Sequence, residues 1–237
     1  MIIDEKGPNH IGIILDGNRR WAKERNLATL NGHKAGAEAV KKIVIHAHKI
    51  GLKYLTLYAF STENWKRDPI EVTGLMKLLD KFVKELIESK DKRKIRIKIY
   101  GDISVLDLKL QENIIKLEEK TKLNDELTLG ICLNYGGRIE ILKAIKEIAS
   151  NVKSGEINLD EISEEMVSNS LYTSGIPDPD LIIRTGNECR LSNFLIWQLA
   201  YSELYFPENL LWPDFDERQL EEAIEEYIKR KRRFGGN

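Results

Sequence analysis

The stretch HIGIILDGNRRWA, His10–Ala22, runs through apolar residues to a single acid and then to Gly17, Asn18, Arg19, Arg20 and Trp21. A short aliphatic run of this kind reads as a buried strand, and the glycine after Asp16 permits a turn into a short helix. Four further runs share its character: KYLTLYAF from Lys53, KIRIKIYGD from Lys94, LTLGICLNY from Leu127 and DLIIRTG from Asp180. Between them lie helical patterns, GHKAGAEAVKKIVIHAHKIG, EVTGLMKLLDKFVKELIESKD and GGRIEILKAIKEIASNVKSG, two of which stop at a glycine suited to a C-terminal cap. Alternating strands and helices predict an α/β fold, a mostly parallel sheet with helices on its faces and ligands beyond the carboxyl ends of the strands. The polar residues at those ends are therefore the ones to weigh.

The chain has 237 residues, of which 42% are apolar, enough for one sizeable core, and a single domain over 1–237 is the economical reading. The weakly patterned region 150–179 still contains the helical segment DEISEEMVSNSLY, and no linker or internal repeat divides the chain. The last helical pattern, DERQLEEAIEEYIKRKRRF, is acidic early and basic late, as the helix dipole prefers. With 37 basic and 38 acidic side chains the formal net charge is -1, so no global field selects nucleic acid or another polyanion. Cys132 and Cys189 have neither zinc-site nor disulfide spacing, which fits a reducing compartment. No apolar run approaches the roughly 20 residues of a membrane span, and MIIDEKGPNH lacks the marks of a signal peptide; the expectation is cytoplasmic.

Three strand ends carry chemistry. At the first, backbone N–H groups and arginines suit phosphate oxygens, but Asp16 repels them unless a cation intervenes. A hard divalent ion such as Mg²⁺ joins a carboxylate to phosphate and resolves the conflict; the competing reading is that Asp16 caps the helix. The second strand ends in FSTENWKR, where Ser61, Thr62, Glu63, Asn64, Trp65 and Arg67 crowd hydroxyl, carboxyl, amide and cation together. Such a loop can orient a substrate and accept a proton, or be a turn in which Ser or Thr caps a helix beginning near Pro69. The fifth run ends in IIRTGNECRLSNF, where Arg184, Arg190 and Ser192 can hold a second phosphate group. Two anion sites imply two phosphorylated substrates.

Other features are weaker. Glu203 lies in the otherwise aromatic and apolar WQLAYSELYF and wants a partner or a metal. His10, His46 and His48 read as structural, the last two being too close along a helix to share a face, whereas His33 either meets a phosphate or caps a turn. The stripe Leu75, Met76, Leu78, Leu79, Phe82, Val83, Leu86 and Ile87 reads from its pattern as core.

Taken together, DGNRRWA, GHKAG, LTLYAFSTENWKR, NYGGR, RTGNECRLSNFLIWQLAYSELYF, LWPDF and RRFGG closely resemble the cis-prenyltransferases, the undecaprenyl diphosphate synthase family, from about His10 to Gly236. The resemblance implies an enzyme that condenses isopentenyl diphosphate repeatedly onto an allylic primer, farnesyl or geranylgeranyl diphosphate, to give a medium- to long-chain polyprenyl diphosphate for a lipid glycan carrier. It implies a six-stranded sheet, a hydrophobic tunnel walled in part by the Leu75–Ile87 stripe, Mg²⁺, a homodimer, and a peripheral membrane contact through the lipid product. Residue by residue, Asp16 becomes the central acid, with Gly17, Asn18, Arg19 and Arg20 cradling the allylic diphosphate. Trp21, His33, Ser61, Thr62, Glu63, Trp65 and Arg67 complete the primer site, and Asn64 helps to remove the proton. Arg184, Arg190, Leu191 and Ser192 bind isopentenyl diphosphate, Glu203 is the second metal-linked carboxylate, and Arg233, Phe234 and Gly235 reach the neighbouring subunit.

Two positions depart from the usual bacterial pattern: Arg19 stands where many members have glycine, and Thr29 where many have arginine, a loss that Arg19 or Arg25 could offset. Ala59 corresponds to a tunnel position at which a small residue permits long products. The rival readings are a non-catalytic subunit of a heteromeric enzyme, against which the retained acid and arginines speak, and a nucleotide-binding module, for which no G-x-G-x-x-G or P-loop is present.

Overall fold

The computed structural model describes residues 2–89 and 93–230. Its sheet has six strands, β1 (His10–Ile14), β2 (Tyr54–Ser61), β3 (Ile95–Tyr100), β4 (Leu127–Tyr135), β5 (Leu181–Arg184) and β6 (Glu203–Tyr205). They lie in the order β3-β4-β2-β1-β5-β6 and every pair is parallel. Around them pack α1 (Asn18–Glu24), α2 (Thr29–Lys49), α3 (Pro69–Glu88), α4 (Leu108–Thr121), α5 (Gly137–Ser154), α6 (Glu164–Asn169) and α7 (Glu217–Lys229). The predicted α/β architecture is the one found. β6 and α4 are additions to the strands and helices read individually from the sequence, and the Arg233–Gly235 motif lies outside the described residues.

Period-two alternation divides β1 between two cores. Ile11 and Ile13 join Ile43, Leu55, Leu57, Leu129, Ile183 and Trp212 on one face. Ile14 joins Tyr58, Tyr135, Ile182, Phe194 and Leu195 on the other. Gly12 has a packing reason: a Cβ there would sit 2.5 Å from Ile182 Cδ1 and 3.2 Å from the Phe194 ring, which stacks on Tyr58 at 4.8 Å. At the strand end, Gly17 adopts φ 117°, the left-handed region that glycine enters without steric cost, and starts α1. No side chain caps α1, so Asp16 is not its cap.

The chain leaves β1 toward β2 on one side and later places β5 on the other, so the crevice above β1 and β5 is the topological switch point where such sheets bind ligands. Asp16 follows β1 and Arg184 ends β5, both at that crevice. The helix expected near Pro69 starts there, but its cap is Asp68, whose carboxylate accepts from the Ile70 and Glu71 amides; Ser61 instead caps the separate 3-10 turn Thr62–Lys66.

Candidate active site

Arg184 is buried and its guanidinium is held at three points: it donates to Asp16 Oδ2 at 2.9 Å, to Ser192 Oγ at 2.8 Å and to the Arg190 carbonyl. Arg20 donates to the other Asp16 oxygen at 3.2 Å, so the carboxylate lies between two cations. The Asp16 main chain is also fixed, its carbonyl accepting Thr185 Oγ1–H at 2.7 Å and the Trp212 N–H at 3.0 Å. The structure thus joins the first and third of the predicted strand ends into one site.

Above them opens a polar cavity walled by Asp16, Gly17, Asn18, Arg19, Arg20 and His33, with Arg67, Arg190, Lys23, Asn26, Thr29 and Glu188 completing it. Against it lies an apolar cavity between the sheet and helices α2 and α3, walled by Val40, Leu57, Ala59, Leu75, Met76, Leu78, Leu79 and Phe82. The two share Leu15, Asn18 and His33. The Leu75–Ile87 stripe therefore divides: five residues face the cavity, whereas Val83 is core and Leu86 and Ile87 pack on it. Ala59 shares the face of Leu57, two residues before it, and so reaches the cavity by ordinary alternation. Tyr58 pairs with Cys132 and Phe60 with Leu133, so Ala59 is an extra residue bulged out of the ladder.

Glu71 organises the cationic wall. Its buried carboxylate meets His33 Nε2 at 3.0 Å, Arg67 at 3.2 Å and Arg19 at 3.7 Å. Burial pulls the His33 pKa below its ordinary value, with the Glu71 hydrogen bond opposing that pull, so the ring is mainly neutral near pH 7. In the 3-10 turn, Ser61 N–H donates to Asn64 Oδ1 at 3.1 Å and Trp65 Nε1–H donates to Asn134 Oδ1 at 2.8 Å. Asn134, at φ 47° on the irregular stretch of β4, donates in turn to the Asp102 carbonyl at 2.7 Å. Burial alone would raise the Glu63 pKa, but bonds from its own amide, Asn193, Ser61 and Thr62 hold it low.

Several expected residues stand elsewhere. Trp21 turns from the polar cavity: Nε1–H donates to Asp214 at 2.7 Å and Arg25 lies 4.3 Å above its ring while bonding the same carboxylate. Arg25 therefore does not stand in for a cation beside Thr29, whereas Lys23 lines the cavity with Thr29. Ser61, Thr62, Glu63, Asn64 and Trp65 form the adjacent turn and are not among the cavity walls; Arg67 is. Leu191 packs against the Tyr58–Phe194 core.

Glu203 stands apart from the polar cavity of its own chain. It pairs in register with Leu181, three residues or about 10 Å of strand before Arg184. There it bonds Arg230 at 2.8 Å, so in this chain it shares no site with Asp16. The second carboxylate in the polar cavity is Glu188, bonded to Arg190 and 3.8 Å from Arg20. Among the described residues no cluster of three His, Cys, Asp or Glu side chains could cage a metal. One carboxylate amid phosphate-binding cations does fit Mg²⁺, which is held by one or two carboxylates, waters and substrate phosphates.

Reasoning from sequence missed Glu71, Asn134, Lys23 and Glu188. Glu71 had a faint signal in its (i, i+4) spacing from Arg67; Asn134 had none beyond its place in NYGGR, because its role depends on bulges that single residues do not announce.

The prenyltransferase family model described as undecaprenyl diphosphate synthase matches residues 14–235. The isoprenyl transferase of Clostridium perfringens is 50% identical over 236 residues, covering 100% of this chain and 93% of that one. The ditrans,polycis-undecaprenyl-diphosphate synthase of Micrococcus luteus, described as farnesyl-diphosphate specific, is 50% identical over 233 residues, covering 97% and 92%. Among solved structures, lavandulyl diphosphate synthase of Lavandula x intermedia in complex with dimethylallyl diphosphate superposes with a TM-score of 0.93 at 39% identity, covering 98% of this chain and 100% of that one. A probable undecaprenyl diphosphate synthase of Campylobacter jejuni gives 0.79 at 35% identity, with the same coverage.

Proposed function

The chain belongs to the undecaprenyl diphosphate synthase family of isoprenyl transferases and is an enzyme of cis-prenyl chain elongation; we propose that farnesyl or geranylgeranyl diphosphate is its primer and a medium- to long-chain polyprenyl diphosphate its product. The observation that carries this reading is the continuity of a cationic cavity with an apolar one through Leu15, Asn18 and His33. A diphosphate with a hydrocarbon tail fits that pair, and a nucleotide does not.

Asn18, Arg19, Arg20 and Lys23 receive the allylic diphosphate, and the tail lies along Leu75, Leu79 and Phe82. Arg184, Arg190 and Ser192 receive isopentenyl diphosphate. Asp16, already bonded to Arg184 and Arg20, is the residue that would hold Mg²⁺, which supplies charge neutralisation of the departing diphosphate. The arginines stabilise that developing charge from fixed positions. Asn64 keeps one lone pair of its amide oxygen beyond the bond from Ser61 and is proposed to steer the proton lost after condensation.

We assign the homodimer to the outer face of α5, where Ile139, Leu142 and Ile145 recur at helical spacing and are 49%, 51% and 54% exposed, with Ile196 nearby at 41%. Among the described residues no helix is long and apolar enough to cross a membrane, so contact with a bilayer is assigned to the lipid product. The test is incubation of the purified chain with labelled isopentenyl diphosphate and farnesyl diphosphate, with Mg²⁺ or chelator. A metal-dependent ladder of products is expected. No elongation from any of several allylic primers overturns the reading in favour of a subunit that needs an active partner.

A further inference from the structure

The glycine pair of NYGGR, Gly136 and Gly137, opens α5 and lines neither substrate cavity. Gly136 has φ −159°, extended backbone that any residue adopts, so its glycine answers to space. A Cβ there would stand 2.8 Å from Asn193 Nδ2 and 2.9 Å from Thr62 Oγ1. The gap admits Asn193, which does for α5 what a glycine N-cap cannot. Its Oδ1 accepts the Arg138 N–H at 2.9 Å, and its carbonyl accepts the Gly137 N–H at 2.7 Å. Its Nδ2 donates the other way, to Glu63 Oε1 at 2.9 Å. One side chain thus joins the start of α5 to the Thr62–Lys66 turn that carries Asn64.

Asn193 also sits in a strained segment. Ser192, Asn193 and Leu195 have φ of 49°, 67° and 43°, the left-handed region that asparagine tolerates and leucine enters at a cost. Such a run persists where its surroundings over-determine it. The buried Phe194 anchors it, the Tyr58 hydroxyl donates to the Ser192 carbonyl at 3.3 Å, and Asn193 supplies the ties to α5 and Glu63. We propose that Asn193 is a positioning residue that holds Ser192 at a fixed separation from Asn64, an inference that rests on the assignment of isopentenyl diphosphate to Arg184, Arg190 and Ser192. The proton lost after condensation comes from the isopentenyl unit, so that separation decides whether Asn64 reaches it. Asn193 lines neither cavity and acts through its neighbours.

The test is steady-state kinetics of the full chain on Asn193→Asp, with and without Glu63→Gln. Asn193→Asp keeps the left-handed preference and the acceptor for Arg138, but sets a carboxylate against Glu63; Glu63→Gln restores a donor across that gap. Asn193→Asp is expected to lower kcat/KM for isopentenyl diphosphate about five- to tenfold with KM for farnesyl diphosphate within about twofold of the parent, and to cost at most about twofold in the Glu63→Gln background. Gly136→Ala, which pushes Asn193 Nδ2 aside and leaves both side chains in place, carries the same isopentenyl-specific expectation should Asn193→Asp fold poorly. Equal losses in both backgrounds, or equal losses toward both substrates, overturn the proposal, because a merely structural role moves them together. Ser192→Ala separates the two levels. If it raises KM for isopentenyl diphosphate while Asn193→Asp does not, this inference alone fails; if it leaves that KM unchanged, the underlying assignment fails and the inference with it.

Discussion

Arg184 Nη2 lies 2.9 Å from Asp16 Oδ2, so the last residue of β5 is bonded to the second residue past β1 across the switch point of the sheet. In the proposed assignment the bond would join the two diphosphate sites through one ion pair: Asp16 would hold Mg²⁺, which would supply charge neutralisation of the allylic diphosphate, and Arg184 would face the second diphosphate. Asp16→Ala removes the shared group. Turnover is expected to fall by at least about 10²–10³, the scale of losing one preorganised charge-stabilising contact. Leaving the buried Arg184 without its carboxylate costs about 1–2 kcal/mol, a Tm drop of roughly 2–8 °C, because Ser192 and the Arg190 carbonyl still hold it. Steady-state rates and a thermal melt check both. Turnover within a few-fold of the parent, with unchanged metal dependence, would refute the role.

Glu71 separates positioning from chemistry. It holds His33, Arg67 and Arg19 at the cavity wall without itself lining the cavity. Glu71→Gln keeps the shape, removes the charge and releases the two arginines. The expected result is a KM for the allylic substrate raised about tenfold with kcat changed much less, since ground-state placement is what is lost. A fall in kcat at constant KM is the outcome that sinks this assignment.

The parts of this molecule that sequence disclosed are those built from local periodicity. Five aliphatic runs became strands, and Gly51 and Gly155 follow α2 and α5 at φ 84° and 80° as terminal glycines should. β6 escaped because three residues cannot show alternation, and only the pairing with Leu181 reveals how far along the sheet Glu203 lies. Asp16, Arg184 and Ser192 were legible because strand ends in a parallel sheet converge. The direction of Trp21 was not, because on so short a helix only the packing of α1 decides whether a side chain faces the cavity or Asp214.

His10 makes stability depend on pH. The ring is buried between the Pro177 carbonyl, 2.6 Å from Nδ1, and Thr56 Oγ1, 2.8 Å from Nε2. The carbonyl can only accept, so Nδ1 carries the proton and Nε2 accepts from the hydroxyl. Burial lowers the pKa from 6.5 to about 4 against the opposing pull of Pro177 and Asp180. The folded state thus favours neutral histidine, and the stability is complete above pH 6.5 and lost as pH falls toward 4. Between pH 7 and pH 5 this one group accounts for about 2 kcal/mol. Urea titrations of the parent and His10→Gln at both values should differ in pH dependence by that amount; identical slopes would show that His10 does not couple to folding.

Ala59 sets the last prediction, which rests on a small side chain standing in the cavity wall. Ala59 lies two residues after Leu57 and so shares its face of β2, and the extra residue between Tyr58 and Phe60 brings Phe60 to the same face, so all three wall the cavity lined by Leu75, Leu79 and Phe82. A side chain added there enters the path of the growing tail without displacing the packed residues beside it. Ala59→Leu is expected to leave the first condensations at parental rates, because the diphosphate sites are untouched, and to stop elongation several five-carbon units earlier. Resolving the products by length after single-primer incubation reads both effects. A parental length distribution would mean that the tail does not pass Ala59, and a uniform loss of all products would mean that the bulge, and with it the adjoining Ser61–Arg67 turn, had been disturbed.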